Sequence, residues 1–522
     1  MDHFGSIDQL FPFAPTLHMN FCGHLFFNLL FIYKGKEMNF CGGKKELDLS
    51  LQGSIIKEIT MEEVTSIFGK TPWWEKIKNT IMHLKFIQCQ RSSEVSFIKK
   101  LETYQISPAS TAKGFYINID RELPEFYKAW VTSLILTTES ATWSHIVMNI
   151  FKQGKFTLTP KMSSDIAALF SSCPNILSAD IPNFLEAISK QIKVQGEAEE
   201  FLKMDAQTAA SWLLSQQSGE SGKKFQSFLQ KHGYRCLREA ELYVKCWEAE
   251  PTKLIPVIKA TLRNNNPDTK KADKISEEAI ASIKSSLSKF QRFILHFALP
   301  SARKGIIHRE FGKAGAIKMT DIFRRAYWKL ATLMVQEGFL PDEDLIFFLT
   351  HMEIGKLLLH RSPALISRAQ RRRRLLEKQM LLKFKELNNG KPVPIDNSSK
   401  ATENTTTGLK LTGMIVSQGI VKGTARVVET SLELDCIQQG DILITTYTDI
   451  GWSPYFPLIE GLITEMGGMI SHGAVVAREY GIPCIVSCAN ATSLLRSGDI
   501  VILNAEEGFV EKVGESGSTD SV

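Results

Sequence analysis

A chain of 522 residues that is 43% apolar is too long for one ordinary hydrophobic core and predicts two or three globular domains. Charged residues at 23% and aromatic residues at 9% exclude a disordered or fibrous chain. The net charge of +6 divides unevenly: residues 1 to 404 hold 56 Lys or Arg against 42 Asp or Glu, residues 405 to 513 hold six against twelve, and the last nine residues add two acidic groups. A basic body and an acidic small domain attract each other over about a Debye length, roughly 8 Å at physiological salt.

In chain order, the apolar stretch from Phe21 to Tyr33 is interrupted by His24 and Asn28. It falls short of the roughly 20 apolar residues a bilayer span needs. The chain opens with Asp2, His3 and Asp8 rather than the basic start of a secretory signal, so no membrane anchor and a cytoplasmic location are expected. From about Leu47 to Leu387 apolar residues recur at three- and four-residue steps with few Gly or Pro, which predicts a mostly α-helical body. Helices are expected over Glu239–Trp247, Ser282–Phe297 and Thr320–Glu337, the last stopped by Gly338, and exposed loops at Ser218–Lys224 and Asn264–Lys274. The basic run Arg371 to Arg374 lies in a further helical pattern, Ser367–Leu387. Its neighbours are Leu and Met rather than base-reading groups, so a solvated helix is expected and no nucleic-acid partner.

After Leu387 the composition turns to Pro, Ser, Thr and Asn, as a linker does. Short β-type runs follow at Ile420–Val428, Asp441–Thr445, Gly461–Thr464, Cys484–Ser487 and Asp499–Leu503. The predicted fold is multidomain α plus α/β. A large helical body over 1–387 is expected, then a linker over 388–406, a small α/β domain over 407–513 and a disordered tail over 514–522. The nine cysteines have no framework spacing, and Cys484 and Cys488 lack a partnering Cys or His cluster, so no metal site is assigned.

Chemistry concentrates where the run ending at Thr464 gives way to Gly467-Gly468 and then to a helix. Ser471 is a suitable N-cap, which puts His472 in the first helical turn, expected to be exposed beyond the sheet and flanked by free backbone N–H groups. An imidazole with a reference pKa of about 6.5 is largely neutral and nucleophilic at pH 7, and the helix dipole favours an anion placed on it. Gly467, Gly468 and Gly473 leave room for an approaching phosphate, while Ser471 and Thr464 are expected to orient loop and ring. Arg478 either holds phosphate or pairs with Glu479 or Glu465. Burial of the ring under packed side chains would contradict a carrier role.

The segment Thr464-Glu-Met-Gly-Gly-Met-Ile-Ser-His-Gly-Ala-Val-Val-Ala-Arg-Glu-Tyr-Gly-Ile-Pro-Cys484 resembles the phosphohistidine signature of the PEP-utilising enzyme family. That family includes pyruvate phosphate dikinase, phosphoenolpyruvate synthase and rifampicin phosphotransferase. The likeness extends through Gly413-Met-Ile-Val-Ser-Gln-Gly419, Val421-Lys-Gly-Thr-Ala-Arg-Val-Val428, Gly440-Asp-Ile-Leu-Ile444, Thr448-Asp-Ile-Gly-Trp-Ser-Pro-Tyr-Phe456, Gly498-Asp-Ile-Val501 and Gly508-Phe-Val-Glu511. Upstream, Ala302-Arg-Lys-Gly-Ile-Ile-His-Arg-Glu-Phe311 and Gly338 to Glu353 look like the rifampicin-phosphotransferase branch.

The resemblance implies that the helical body over 1–387 binds the acceptor substrate, that residues 407–513 are the small β/β/α swivelling phosphohistidine domain and that His472 is the tele-phosphohistidine nucleophile. It also implies a two-step reaction: ATP gives its β-phosphate to His472, releasing AMP and inorganic phosphate, and phospho-His472 then phosphorylates a hydroxyl on a small-molecule acceptor. Arg303, Arg309 and Lys313 become candidate acceptor-binding residues, because phosphoryl transfer rests on positioning and charge neutralisation. Two departures stand out. The family's ATP-grasp module, which would hold ATP and Mg²⁺, has no counterpart before the body, and the barrel domain of phosphoenolpyruvate users has none after residue 513. The alternatives are therefore an incomplete fragment, an accessory carrier served by an ATP-grasp domain in trans, or a remnant of a phosphoenolpyruvate synthase. Ile470 stands where dikinases carry a regulatory threonine, and Ile450 where a proline is usual.

Overall fold

The computed structural model describes residues 18–21, 24–27, 33–34, 44–51, 56–152, 159–171, 177–263, 276–380, 382, 384, 388, 392–395, 409–429 and 431–513. The loop expected at Asn264–Lys274 and the 514–522 tail lie wholly outside the described residues, as does most of the 388–406 linker. The body is helical, as expected. A hairpin of β1 (His18–Phe21) and β2 (His24–Phe27), which the apolar pattern there did not reveal, precedes it.

Two long helices form the spine of the body: α1 (Ala112–Lys152) and, after α2 (Pro160–Phe170), α3 (Leu177–Val194) and α4 (Gly219–His232), the 48-residue α5 (Lys289–Gln336). They run antiparallel: Phe126 meets Phe323 with ring centroids 4.9 Å apart, and Glu139 meets His308 at 3.3 Å. Two further helices, α6 (His351–His360) and α7 (Pro363–Met380), close the far end. The arginine run on α7 does more than face solvent, since Arg372 donates to Glu353 at 2.6 Å and Arg373 to Asp342 at 2.8 Å, tying α7 to the turn before α6.

Three local expectations are corrected. Residues Glu239–Trp247 are not helical but form turns, because the fully buried Arg235 pairs with Glu239 at 2.9 Å and Arg324 of α5 draws in the Glu239 carbonyl at 2.7 Å. The helix expected from Ser282 begins at Lys289, capped by Ser288 with Gln291 reaching back; ahead of it the Asp165 carboxylate accepts the N–H groups of Lys284 and Ser285 at 3.1 and 2.7 Å. The stretch Ser218–Lys224 is not an exposed loop but the first turns of α4, where Ser218 and Ser221 are fully buried and bonded to each other and to Gln195. Small polar residues at a close contact read as solvent-facing ones in a sequence.

The C-terminal unit is an eight-stranded mixed sheet in the order β3-β10-β9-β5-β6-β7-β8-β4. Its strands are β3 (Lys410–Thr412), β4 (Met414–Ser417), β5 (Ile420–Val427), β6 (Asp441–Thr445), β7 (Ile459–Thr464), β8 (Cys484–Val486), β9 (Ile500–Asn504) and β10 (Phe509–Lys512). Strands β5, β6, β7 and β8 are parallel, and the connection from β7 to β8 is α8 (His472–Tyr480). Such a crossover places the start of its helix at the carboxyl edge of the sheet, where α/β folds keep their sites.

This domain lies docked on the body. Trp452, Tyr455 and Phe456 share an apolar cluster with Leu185 and Ile188 of α3, and Met469 and Val475 share another with Ile166 of α2 and Ile306 of α5. Among the described residues no helix is long and apolar enough to cross a membrane.

Candidate active site

The turn between β7 and α8 is held from several sides. Gly467 has φ of +121°, a conformation that side chains disfavour, and the Ser471 N–H donates to the Gly468 carbonyl at 2.9 Å. Ser471 occupies the N-cap in extended backbone but makes no side-chain capping bond. Thr464 ends β7; its carbonyl accepts the Cys488 N–H at 3.0 Å, and its buried hydroxyl has no hydrogen-bond partner among the described residues.

Two of the expected roles turn out differently. A Cβ on Gly473 would lie 2.5 Å from Thr448 Oγ1, so this glycine admits the Thr448 hydroxyl rather than an approaching phosphate. Arg478 is buried beneath the loop and donates to the carbonyls of Met469 at 2.8 Å and Val416 at 3.4 Å, which makes it a brace for the turn. Glu465, one of its expected partners, instead accepts from the backbone and hydroxyl of Thr492, both at 2.7 Å.

His472 is the first residue of α8, as expected, but it is not exposed: only 4% of it reaches solvent. The groups around it are largely polar, and the nearest charge belongs to the body. Its Nδ1 faces Glu310 Oε2 of α5 at 3.5 Å, and its Nε2 faces Ser453 Oγ at 3.5 Å, while the Phe456 ring stands edge-on with centroids 6.5 Å apart. The Ser453 contact is at the long edge of hydrogen bonding, whereas Nδ1 faces the Glu310 carboxylate without a hydrogen bond of good geometry among the described residues; catalytic contacts are often this loose before substrate binds.

The charges nearby set the protonation states. Burial lowers the His472 pKa, Glu310 opposes this, and the cations Lys313 and Arg309 add to the lowering, so the ring is neutral at pH 7. For Glu310 burial acts upward, but His472, Arg309 and Lys313 outweigh it and hold the carboxyl below the usual range. Asp449, one residue beyond Thr448, is pushed up to about 6 by burial and by Glu239, against the pull of Lys313.

Of the three basic candidates, the structure brings two to the ring. Arg309 donates to the Ile470 carbonyl in the His472 turn and lies 3.8 Å from Glu310; Lys313, one turn further along α5, exerts its charge on Glu310, His472 and Asp449. Arg303 points elsewhere, donating from Nε to the Leu169 carbonyl at the end of α2 at 2.9 Å. Glu310, Ser453 and Asp449 were not singled out from the sequence. Glu310 had a signal: it occupies a core position in the apolar row Leu299, Ala302, Ile306, Ala314, Ile317, where a carboxylate is unusual.

Among the described residues no group of three or more His, Cys, Asp or Glu is arranged to hold a metal ion. The thiols of Cys484 and Cys488 are both raised by burial, the latter to about 12.

Comparison with known proteins agrees with this architecture. Residues 131–310 match the family described as rifampicin phosphotransferase fourth domain, and residues 437–508 match the PEP-utilising enzyme, mobile domain. In this chain the two matches stand in the order the motifs implied, a helical module similar to the rifampicin-phosphotransferase type followed by a segment similar to the PEP-utilising mobile domain.

It is similar to the rifampicin phosphotransferase of Bacillus cereus, 31% identical over 301 residues (55% of this chain, 34% of the relative), and to that of Bacillus subtilis strain 168, 25% identical over 435 residues (80% and 49%). It is also similar to the phosphoenolpyruvate synthase of Neisseria meningitidis serogroup B, 38% identical over 96 residues (18% of this chain, 12% of the relative). The chain spans between about a third and a half of the length of the rifampicin phosphotransferases it matches. A solved structure of aconitase X from Thermococcus kodakaraensis aligns with 20% of this chain at 18% identity and a TM-score of 0.18, too low to carry an argument.

Proposed function

We propose that this chain is a phosphotransferase component in which His472 accepts a phosphoryl group at Nε2 and passes it to a hydroxyl of a small-molecule acceptor. The observation that carries the reading is the Nδ1 of His472 set against the Glu310 carboxylate at 3.5 Å, at the first residue of a helix. The carboxylate facing Nδ1 can only accept, so its charge favours the ring tautomer with the proton on Nδ1, which would leave the Nε2 lone pair as nucleophile. Arg309 and Lys313 supply positive charge beside the ring, and its place at the first residue of α8 adds the positive end of the helix dipole.

Burial of the ring counts against a carrier in this position, as the sequence required; a carrier role therefore depends on the domain leaving it, the closest charged neighbour, Glu310, lying on the body. The docked arrangement is then the transfer position, and loading takes place after the mobile domain has left it. ATP is the proposed phosphoryl source and a separate ATP-grasp domain the proposed site of its binding with Mg²⁺. The described residues do not make such a metal site, and no step here runs through one. The relatives' names make a molecule of the rifampicin kind the first acceptor to try.

The test is incubation with β-labelled ATP and a separately expressed ATP-grasp domain from a full-length relative. Acid-labile label retained on this chain and missing from His472→Ala supports the reading. No labelling in that mixture, with a donor domain active on its own carrier, overturns it.

A further inference from the structure

The far end of the body holds a cavity of about 670 Å³ that the phosphoryl-transfer site does not use. Its walls include Phe126, Tyr127, Phe323, Phe347 and Phe348, and Tyr243 and Met352, 42% and 46% exposed, stand at its mouth. Packed protein interiors leave few voids larger than a water molecule, whereas pockets for drug-sized ligands span roughly 300–1,000 Å³. Phe126 and Phe323 meet at 4.9 Å and 60°, and Tyr243 meets Phe347 at 5.8 Å and 73°, so rings buttressed on one another share the wall with Leu and Ile side chains.

One polar relay is built into this wall. Asp120 Oδ1 lies 3.0 Å from His351 Nε2, and His351 Nδ1 lies 2.8 Å from Tyr327 Oη. A carboxylate only accepts, so Nε2 carries the proton; in the neutral ring Nδ1 then accepts the Tyr327 hydroxyl hydrogen. Tyr116 stacks on the imidazole at 4.5 Å and 18°, and His351 opens α6, whose capping box of Thr350 and Glu353 fixes its backbone. With its hydrogen committed to His351, the Tyr327 oxygen presents acceptor capacity towards the cavity it lines.

We propose that this cavity is a binding site for a flat, largely apolar, aromatic molecule carrying an N–H or O–H donor, which Tyr327 Oη accepts. Phe323 on its wall and Glu310 beside His472 are thirteen residues apart on α5, which puts the two sites about 20 Å apart. The cavity is therefore a second site, distinct from the place where His472 docks, and it stands whether or not His472 is a carrier.

The probe is N-phenyl-1-naphthylamine, a neutral diaryl amine whose fluorescence rises in apolar surroundings, titrated into the whole chain. Saturable binding at one site per chain is expected, unchanged in His472→Ala. Leu242→Trp fills the cavity and abolishes binding; Met352→Trp at the mouth is the second variant should the first fail to fold, as judged by its thermal midpoint. Tyr327→Phe weakens binding about 3- to 10-fold, the worth of one neutral hydrogen bond, yet leaves 1-phenylnaphthalene, which has no donor, unaffected. Non-saturable binding, or binding unchanged in folded variants with a filled cavity, overturns the site. An equal loss for both probes in Tyr327→Phe overturns the donor requirement.

Discussion

The Nδ1 of His472 faces Glu310 Oε2 across a domain boundary, 162 residues away in sequence and 3.5 Å away in space. Glu310 raises the imidazole pKa, whereas burial, Lys313 and Arg309 lower it. Glu310→Gln removes this raising influence, so His472 should titrate at lower pH than in the wild type. Lys313→Met should move it up. Imidazole ¹H–¹⁵N spectra across a pH series check both directions, and a rise in Glu310→Gln would place the carboxylate elsewhere.

The same shift makes stability depend on pH. A histidine whose folded pKa lies below its unfolded value of about 6.5 binds fewer protons when folded; its contribution is full above about pH 6.5 and is lost as pH falls through the folded pKa. Glu310 acts in the same sense further down, present above its unfolded pKa of about 4.3 and lost as pH falls through its lower folded value. Between pH 7.5 and 5 the thermal midpoint of the wild type should therefore fall more than that of His472→Gln. The buried His232, also lowered, is common to both proteins and cancels in the difference. Parallel curves would show that His472 does not titrate against a buried site.

Gly473 and Thr448 form a contact pair. A methyl on Gly473 meets Thr448 Oγ1 at 2.5 Å, so Gly473→Ala should cost about 1–3 kcal/mol of stability through overpacking. Adding Thr448→Ala opens the space and should recover most of the loss, seen as a coupling energy in a double-mutant cycle of denaturant unfolding. Additive effects would mean that the two residues do not touch.

Arg478 is expected to act on the turn and not on phosphate. Arg478→Met leaves the buried carbonyls of Met469 and Val416 without this donor, at a cost of about 1–3 kcal/mol. Its unfolding midpoint should drop while loading of His472 by the ATP-grasp domain stays as in the wild type. A variant of normal stability that is no longer loaded would restore the phosphate-holding role.

The mobile domain was legible because its signals are local. The run Asp441–Thr445 is a strand over the same residues, and the junction from β7 through Gly467 to His472 lies where the glycines and Ser471 put it. The short strands β3, β4 and β10 were not among the expected runs, and β3 is held by its pairing with β10. What a sequence does not display is which distant element covers a site. Burial of His472 and the approach of Arg309 and Lys313 are properties of the docked body. The turns over Glu239–Trp247 likewise follow from Arg324 reaching in from α5.

The central claim is that the ring keeps Nδ1 for Glu310 and offers Nε2 to phosphate. The most direct measurement is the ¹H–¹⁵N spectrum of the imidazole in ¹⁵N-histidine-labelled protein after loading by an ATP-grasp domain in trans. A phosphorus–nitrogen bond at Nε2 of His472, lost in His472→Ala, is the predicted result. Phosphate at Nδ1, or on a residue other than His472, would contradict it.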